Sequence, residues 1–441
     1  MEVTRKEAMA NDSPNPDFEQ LRKLLESLGL NLGESDSDLE RFLTEALSGS
    51  SGFSFGMTPA DADPDAAWRT TMTAAQKLLA EVGPDPAFQP GEVAAIADSE
   101  RLVQSWLDSC TDFPSPARPV LALRRSDWLA ATGDGWRQLV EPIIEGLAQA
   151  MQRSGEAELG ELAPMLQPML HTSASMMYRE HLKHQLSDTA CDVLTGTDIG
   201  VDLLGNQQVC ILPTNLAAFT TDLRIGESEL LLYLLTREAA RTRLFAAVSW
   251  LSPQLNALLS HFAREITIDL DAIMAELNPA DLNAASFEQL LSIGQRLQVS
   301  FFKPASTETQ LEILDRLGVL LALIEGWVDH VTTLATKTWL GNPGQLREVI
   351  SRRRASSGPA HRVFKELLGL QLSPRLVRDA ENFWAALDHD RGISSRDATW
   401  HHPDVLPTKE HLADPLSYLA TNRDDEPDAL DEELRQLLAE E

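Results

Sequence analysis

A chain of 441 residues, 43% of them hydrophobic, is long enough for one large domain or two to three ordinary ones with a sizeable core. Acids outnumber bases 67 to 37, a formal net charge of −30, so most of the surface repels duplex DNA and anionic lipid, which excludes nucleic acid and membrane as default partners. Three cysteines, Cys110, Cys191 and Cys210, without C-x-x-C spacing, give neither a disulfide framework nor a zinc ribbon.

Residues 1–16 are polar and hold no apolar leader core, and with the reduced cysteines this points to the cytoplasm. Phe18, Leu21, Leu25 and Leu28 recur at helical spacing up to Gly29, and Leu39, Phe42, Leu43, Ala46 and Leu47 suggest a second short helix. A Ser/Gly-rich stretch and a Pro/Asp-rich stretch follow, so residues 1–65 read as a flexible segment with short amphipathic helices.

From Ala66 to about Leu412 the pattern is helix after helix. Trp128, Trp136, Leu139, Val140, Ile143, Ile144 and Leu147 predict a helix from Asp127 to Met151. Another spans Leu162 to Val193, its beginning broken by Pro164 and Pro168. Gly196, Gly200 and Gly205 make Thr195 to Asn206 a loop, and Val209 to Leu212 is a short strand before Pro213. Helices follow over Glu227–Trp250, Gln254–Ile266 and Thr307–Trp339, the first two joined at Ser252-Pro253. Leu317 to Ile324 is the longest apolar run and is too short to cross a bilayer. Residues 413–441 form an acidic tail, in which Leu430, Leu434 and Leu437 hint at an amphipathic helix. The N-terminal helices and this tail are the places where an unidentified protein partner would bind.

The chemistry concentrates in the helix from Glu227. It carries Arg237-Glu238-Ala239-Ala240-Arg241, the spacing of H-E-x-x-H with arginine at both ends. Alone, such a charged pattern fits any solvated helix face. Around it stand T-G-T-D-I-G from Thr195, I-L-P-T-N from Ile211, V-S-W-L from Val248, F-K-P from Phe302 and L-I-E-G-W-V-D from Leu323. Further on come R-R-R-A-S-S-G-P-A from Arg352, L-Q-L-S-P-R from Leu370 and H-P-D-V-L-P-T from His402. There is no G-x-S-x-G elbow, no phosphate-binding G-x-x-x-x-G-K and no G-x-G-x-x-G after a strand.

In this order, from about Trp128 to about Leu412, these segments resemble the zincin-like family of zinc-dependent metalloproteases or hydrolases. The resemblance implies a mainly α zincin-like metallopeptidase scaffold with at most a small β element, filling residues 66–412. It places Arg237 and Arg241 at the two histidine-ligand positions, Glu238 at the general-base position, and Glu325 at the third-ligand position of a glutamate-type zincin. A guanidinium is always protonated and has no lone pair for a metal. His171, His181, His184, His261, His330, His401 and His402 show no i, i+4 pairing or metal-ligand spacing, so no metal ligand is assigned among them, and no cofactor is expected, zinc being the alternative.

Three readings follow. The first is a non-catalytic member acting through binding. The second is a metal-dependent hydrolase or peptidase with non-standard ligands, supported by the retained Glu238 and Glu325. The third is a scaffold that recruits a partner through its ends. The first reading carries a geometric expectation: Arg237 or Arg241 pairs with Glu325, and with Asp329 one turn on, clasping two helices. Phasing from Leu231, Leu234 and Leu235 puts Glu238 at the edge of the core. Arg352, Arg353 and Arg354 are expected to pair with internal acids, and the tryptophans to be core.

Overall fold

The structure, a computed structural model, describes residues 63–159, 163–221, 223, 225–267, 307–356 and 358–421. The helices predicted before residue 63, the F-K-P segment at Phe302 and the tail beyond residue 421 lie outside the described residues. The helices in chain order are α1 (Pro64–Val82), α2 (Pro90–Leu107), α3 (Arg125–Ala131), α4 (Gly133–Leu159), α5 (Ala163–Asp192), α6 (Pro213–Thr220) and α7 (Glu227–Ala247). They continue as α8 (Leu251–Arg264), α9 (Glu308–Thr336), α10 (Pro343–Ser356), α11 (Pro359–Leu368), α12 (Pro374–Ala398), α13 (Lys409–Ala413) and α14 (Pro415–Thr421). Two strands, β1 (Leu121–Ala122) and β2 (Cys210–Ile211), pair in parallel, Leu121 opposite Cys210. The fold is mainly α with a small β element. No helix among the described residues is long and apolar enough to cross a membrane.

The chain divides into two compact units. One takes in Met1–Arg69, Ile144–Tyr178 and Ile266–Ala305. Within it the Arg153 guanidinium donates to the Ile266 carbonyl at 2.8 Å. The other takes in Thr70–Ile143, Arg179–Glu265 and Ser306–Glu441, and it holds every residue of the candidate site.

The centre of this second unit is α9. Thr307 caps it: its hydroxyl accepts from the Gln310 N–H at 3.1 Å while the Gln310 side chain accepts from the Thr307 N–H, a reciprocal capping box. Between Leu320 and Thr332 every residue except Glu325 is buried. A helix that is apolar nearly all round must be surrounded, and α9 packs on α12, α7, α8, α2 and α10. Trp384 of α12 donates its indole N–H to the Leu323 carbonyl at 3.0 Å, and Trp327 donates to Asp397 at 3.0 Å. Trp128, Trp327 and Trp384 are core, as expected, and Trp250 is half-buried.

Several element boundaries differ from the sequence reading. The helix expected from Asp127 to Met151 is two, because Thr132 leaves helical geometry (φ −90°, ψ 0°) and its hydroxyl returns to the Trp128 carbonyl at 2.7 Å. The following helix runs on to Leu159. Pro164 does not delay α5, since it lies in the first turn, where a missing N–H has no intrahelical partner to lose. The joint after α7 is Val248–Trp250 rather than Ser252-Pro253; Pro253 is tolerated in the first turn of α8 for the same reason. The strand at Val209–Leu212 has a partner the sequence did not announce, because β1 is only two residues long and follows Pro116 and Pro119.

Close approach of α9 to α12 rests on Gly326. A methyl group there would lie 2.6 Å from the Glu381 nitrogen and 2.7 Å from the Ala380 Cβ. Gly326→Ala is therefore expected to destabilise the protein by about 1–3 kcal/mol through overpacking. Gly91→Ala, where a methyl meets nothing within 4 Å, is the control and leaves the melting temperature within a degree or so of wild type. Equal melting curves for the two variants would contradict the packing described.

Candidate functional site

Helix α7 is buried on all sides from Tyr233 to Phe245, so its charged residues point into the protein. Glu238 has no exposed surface at all. This corrects the expectation that it lies at the edge of the core: periodicity identified one apolar face, but the loop from Thr195 covers the other. That loop closes over Glu238 through Thr197, whose backbone N–H and hydroxyl donate to its carboxylate at 3.1 and 2.5 Å. Gly196 allows the approach. A methyl group on it would meet the Cys210 Cβ at 2.7 Å and a Glu238 oxygen at 3.0 Å. The loop is itself anchored, since Asp198 accepts from the Leu194 N–H at 2.8 Å and from Arg353 at 2.9 Å. The T-G-T-D run thus has a physical account at each of Gly196, Thr197 and Asp198.

Arg237 and Arg241 meet α9. Arg237 donates to Glu325 at 2.9 Å through one terminal nitrogen and to Asp329 through the other. Arg241 donates to the second oxygen of Glu325 at 2.6 Å, and its other terminal nitrogen donates to the Thr197 carbonyl and hydroxyl, both at 3.0 Å. One or both arginines were expected on Glu325, and both are there; of the two, Arg237 also reaches Asp329 a turn on. Sequence reasoning missed a third guanidinium. Arg354 of α10 donates to both Glu325 and Asp329. The signal lay in the Arg352–Arg354 run, which was expected to pair with internal acids and does so, Arg352 with Glu348 and Arg353 with Asp198.

The cluster is nearly balanced in charge, with three guanidiniums against Glu325, Asp329 and Glu238. Burial pushes the Glu325 carboxyl up, but Arg241, Arg354 and Arg237 together outweigh burial and hold it down at about 2. Glu238 goes the other way. Burial raises it to about 7 against the pull of Arg241, whose nearest nitrogen is 3.9 Å away, and of the Thr197 hydrogen bonds. Burial, and then the like charge of Arg354, lower Arg237 to about 10, so it remains a cation at neutral pH.

A cleft of about 540 Å³ opens over this cluster. Glu325, Asp329 and Arg354 line it, together with Arg347, Arg352 and Arg378 and an apolar wall that includes Ile199, Leu321, Phe364 and Val377. Among the residues whose side chains are described, no histidine lines it. His330 is buried and bonded to Asp388 at 2.8 Å, while His261, His401 and His402 are exposed. Among the described residues no group of three or more His, Cys, Asp or Glu side chains is placed to hold a metal ion.

Comparison with known proteins agrees with this architecture. The sequence pattern of the zincin-like metallopeptidases matches residues 67–419. The chain belongs to the zincin-like metallopeptidase family. The match starts well before Trp128, where the motif resemblance began, and takes in α1 and α2. The crystal structure of a proposed hydrolase with a novel fold from Chloroflexus aurantiacus superposes with a TM-score of 0.56 at 18% identity, over 81% of this chain and 99% of that one. At that identity the likeness concerns the fold. No curated protein matches in sequence.

Two carboxylates with opposed shifts give opposed pH responses. Glu238 is raised above its ordinary 4.5, so the folded state loses stability as pH rises from about 4.5 through about 7. Glu325 is lowered, so the stability it confers is full above about 4.5 and is lost as pH falls towards about 2. Each effect is on the order of 3 kcal/mol at most. Urea unfolding at stepped pH should show Glu238→Gln flattening the limb between pH 4.5 and 7 and Glu325→Gln flattening the acid limb. Arg241→Ala should cost about 3 kcal/mol, the lower end for breaking a buried pair, because Arg237 and Arg354 still hold Glu325. An unchanged unfolding midpoint in Arg241→Ala would show that the pair carries no stability.

Proposed function

We propose that this zincin-like protein has exchanged a catalytic metal centre for a salt-bridged clasp and that it acts by binding rather than by hydrolysis. The observation that carries the reading is the occupancy of the two histidine-ligand positions. Arg237 and Arg241 stand there, and both donate to Glu325, the carboxylate at the third-ligand position, at 2.9 and 2.6 Å. The donor set does not fit zinc. Guanidiniums offer no lone pair, and Glu325 and Asp329 already accept from three cations. Two fixed positive charges at the ligand positions stand where a divalent cation would otherwise be favoured.

Glu238 supports the same reading. A general base needs access to the water it activates. Glu238 has no exposed surface and its carboxylate is engaged by Thr197. The competing reading is a metal-dependent hydrolase with non-standard ligands, in line with the description of the Chloroflexus protein as a proposed hydrolase. One observation favours it: a carboxyl raised to about 7 has the proton affinity suited to acid–base work at neutral pH. We weigh burial above proton affinity here, because a base without access to water has no substrate proton to take.

Metal analysis of protein purified without added zinc should find no stoichiometric metal, and a broad peptide library should remain uncleaved. Restoring the motif with R237H/R241H should create measurable zinc binding by calorimetry, and adding R354A should strengthen it by freeing Glu325. Dialysis-resistant stoichiometric metal in the wild-type protein would overturn the proposal. Absent zinc binding in the triple variant would show that the pocket no longer has zincin geometry.

A further inference from the structure

We infer that the cleft above the arginine–carboxylate cluster is a binding site for a small amphiphilic anion, a carboxylate or phosphate carried on an apolar body. This rests on the reading that Glu325 and Asp329 are neutralised by arginine rather than reserved for a metal.

Charge is the first ground. The chain as a whole carries −30, yet the carboxylates of the cleft are matched by guanidiniums. Each acid that lines it is already matched: Glu325 and Asp329 by the clasp, Asp198 by Arg353, Glu348 by Arg352 and Glu381 by Arg347. Five lining carboxylates face four lining guanidiniums, with Arg237, Arg241 and Arg353 directly behind them through these ion pairs. Glu238 and Asp192 pair in turn with Arg241 and Arg353, so seven cations stand against seven carboxylates, and no lining carboxylate is left unpaired to attract a cation. A cationic ligand would have to displace guanidiniums from Glu325, where they are held at 2.6 and 2.9 Å.

A free donor is the second ground. Arg378 on α12 is exposed, and its Nε donates only to the Pro374 carbonyl one turn back, at 3.3 Å. Among the described residues its two terminal nitrogens have no acceptor. A guanidinium in this state presents a planar pair of N–H groups that suits the two oxygens of a carboxylate or phosphate.

Shape is the third ground. Ile199, Leu321, Phe364, Leu372 and Val377 give the cleft an apolar wall. A volume of about 540 Å³ falls within the range of pockets that enclose small organic ligands, and an apolar wall with a few placed polar groups is their usual lining. An inorganic anion would leave that wall wet, whereas an apolar body attached to the anion covers it.

The test uses the full chain and isothermal titration with four probes of equal chain length: octanoate, octyl phosphate, octanol and octylammonium. Octanoate or octyl phosphate should bind saturably with one site, and the stronger of the two names the head group. Octanol should bind at least tenfold more weakly and octylammonium not at all. Arg378→Ala should weaken the anion at least tenfold with the melting temperature unchanged, since Arg378 is exposed, and Arg378→Lys should recover part of the loss. Val377→Asp, which puts a like charge on the apolar wall, should abolish binding. Failure of both anions to bind, or equal binding of octanol and octanoate, would overturn the inference. Either result leaves metal content unaffected, so it is separable from failure of the clasp reading.

Discussion

One carboxylate organises the centre of this protein. Glu325 is the single residue in the middle of α9 that is not fully buried, and it accepts hydrogen bonds from Arg237, Arg241 and Arg354. Those arginines come from α7 and α10. A buried carboxylate must be paired or protonated, and three cations ensure pairing. The consequence is structural: α7, α9 and α10 cannot shift relative to one another without exposing an uncompensated charge. Buried ion clusters are not always stabilising against an apolar alternative, but they penalise every wrong register heavily.

The same constraint explains the opposite states of two carboxyls that share Arg241. Glu325 has three guanidiniums and stays ionised well into acid. Glu238 has Thr197 and a more distant Arg241, so burial wins and its proton is held to near neutrality. In a zincin the residue after the first ligand position works on a metal-bound water. Here that residue is sealed by the Thr195 loop, which only glycine at position 196 allows to come so near. Arginines paired with Glu325 and a Glu238 enclosed by this loop are features of one site.

Much of this was legible in the sequence. R-E-A-A-R at zincin spacing, followed by E-G-W-V-D on a later helix, pointed to an arginine–glutamate pairing, since a guanidinium brought to a carboxylate in the interior forms a charge-assisted hydrogen bond. Arg354 was not legible as a member. It lies among three consecutive arginines, and a run of like residues does not say which one turns inward. The burial of Glu238 was misjudged because helical phasing reports one apolar face and is blind to a loop arriving from 40 residues away. The partner strand β1 was hidden for a similar reason, as two residues carry no periodicity.

The sequence alone determined the helical character, the family and the identity of the charges brought to the centre, because these depend on local spacing and residue chemistry. Tertiary structure decided which charges meet. Three guanidiniums converge on Glu325 only when α7, α9 and α10 have packed, and Thr197 reaches Glu238 only when the loop has closed. It also decided that the carboxylates of the cleft above them are matched by guanidiniums within an acidic protein. Net charge is a sum over the chain, whereas the field in a pocket depends on which charges have been cancelled by neighbours at hydrogen-bond distance.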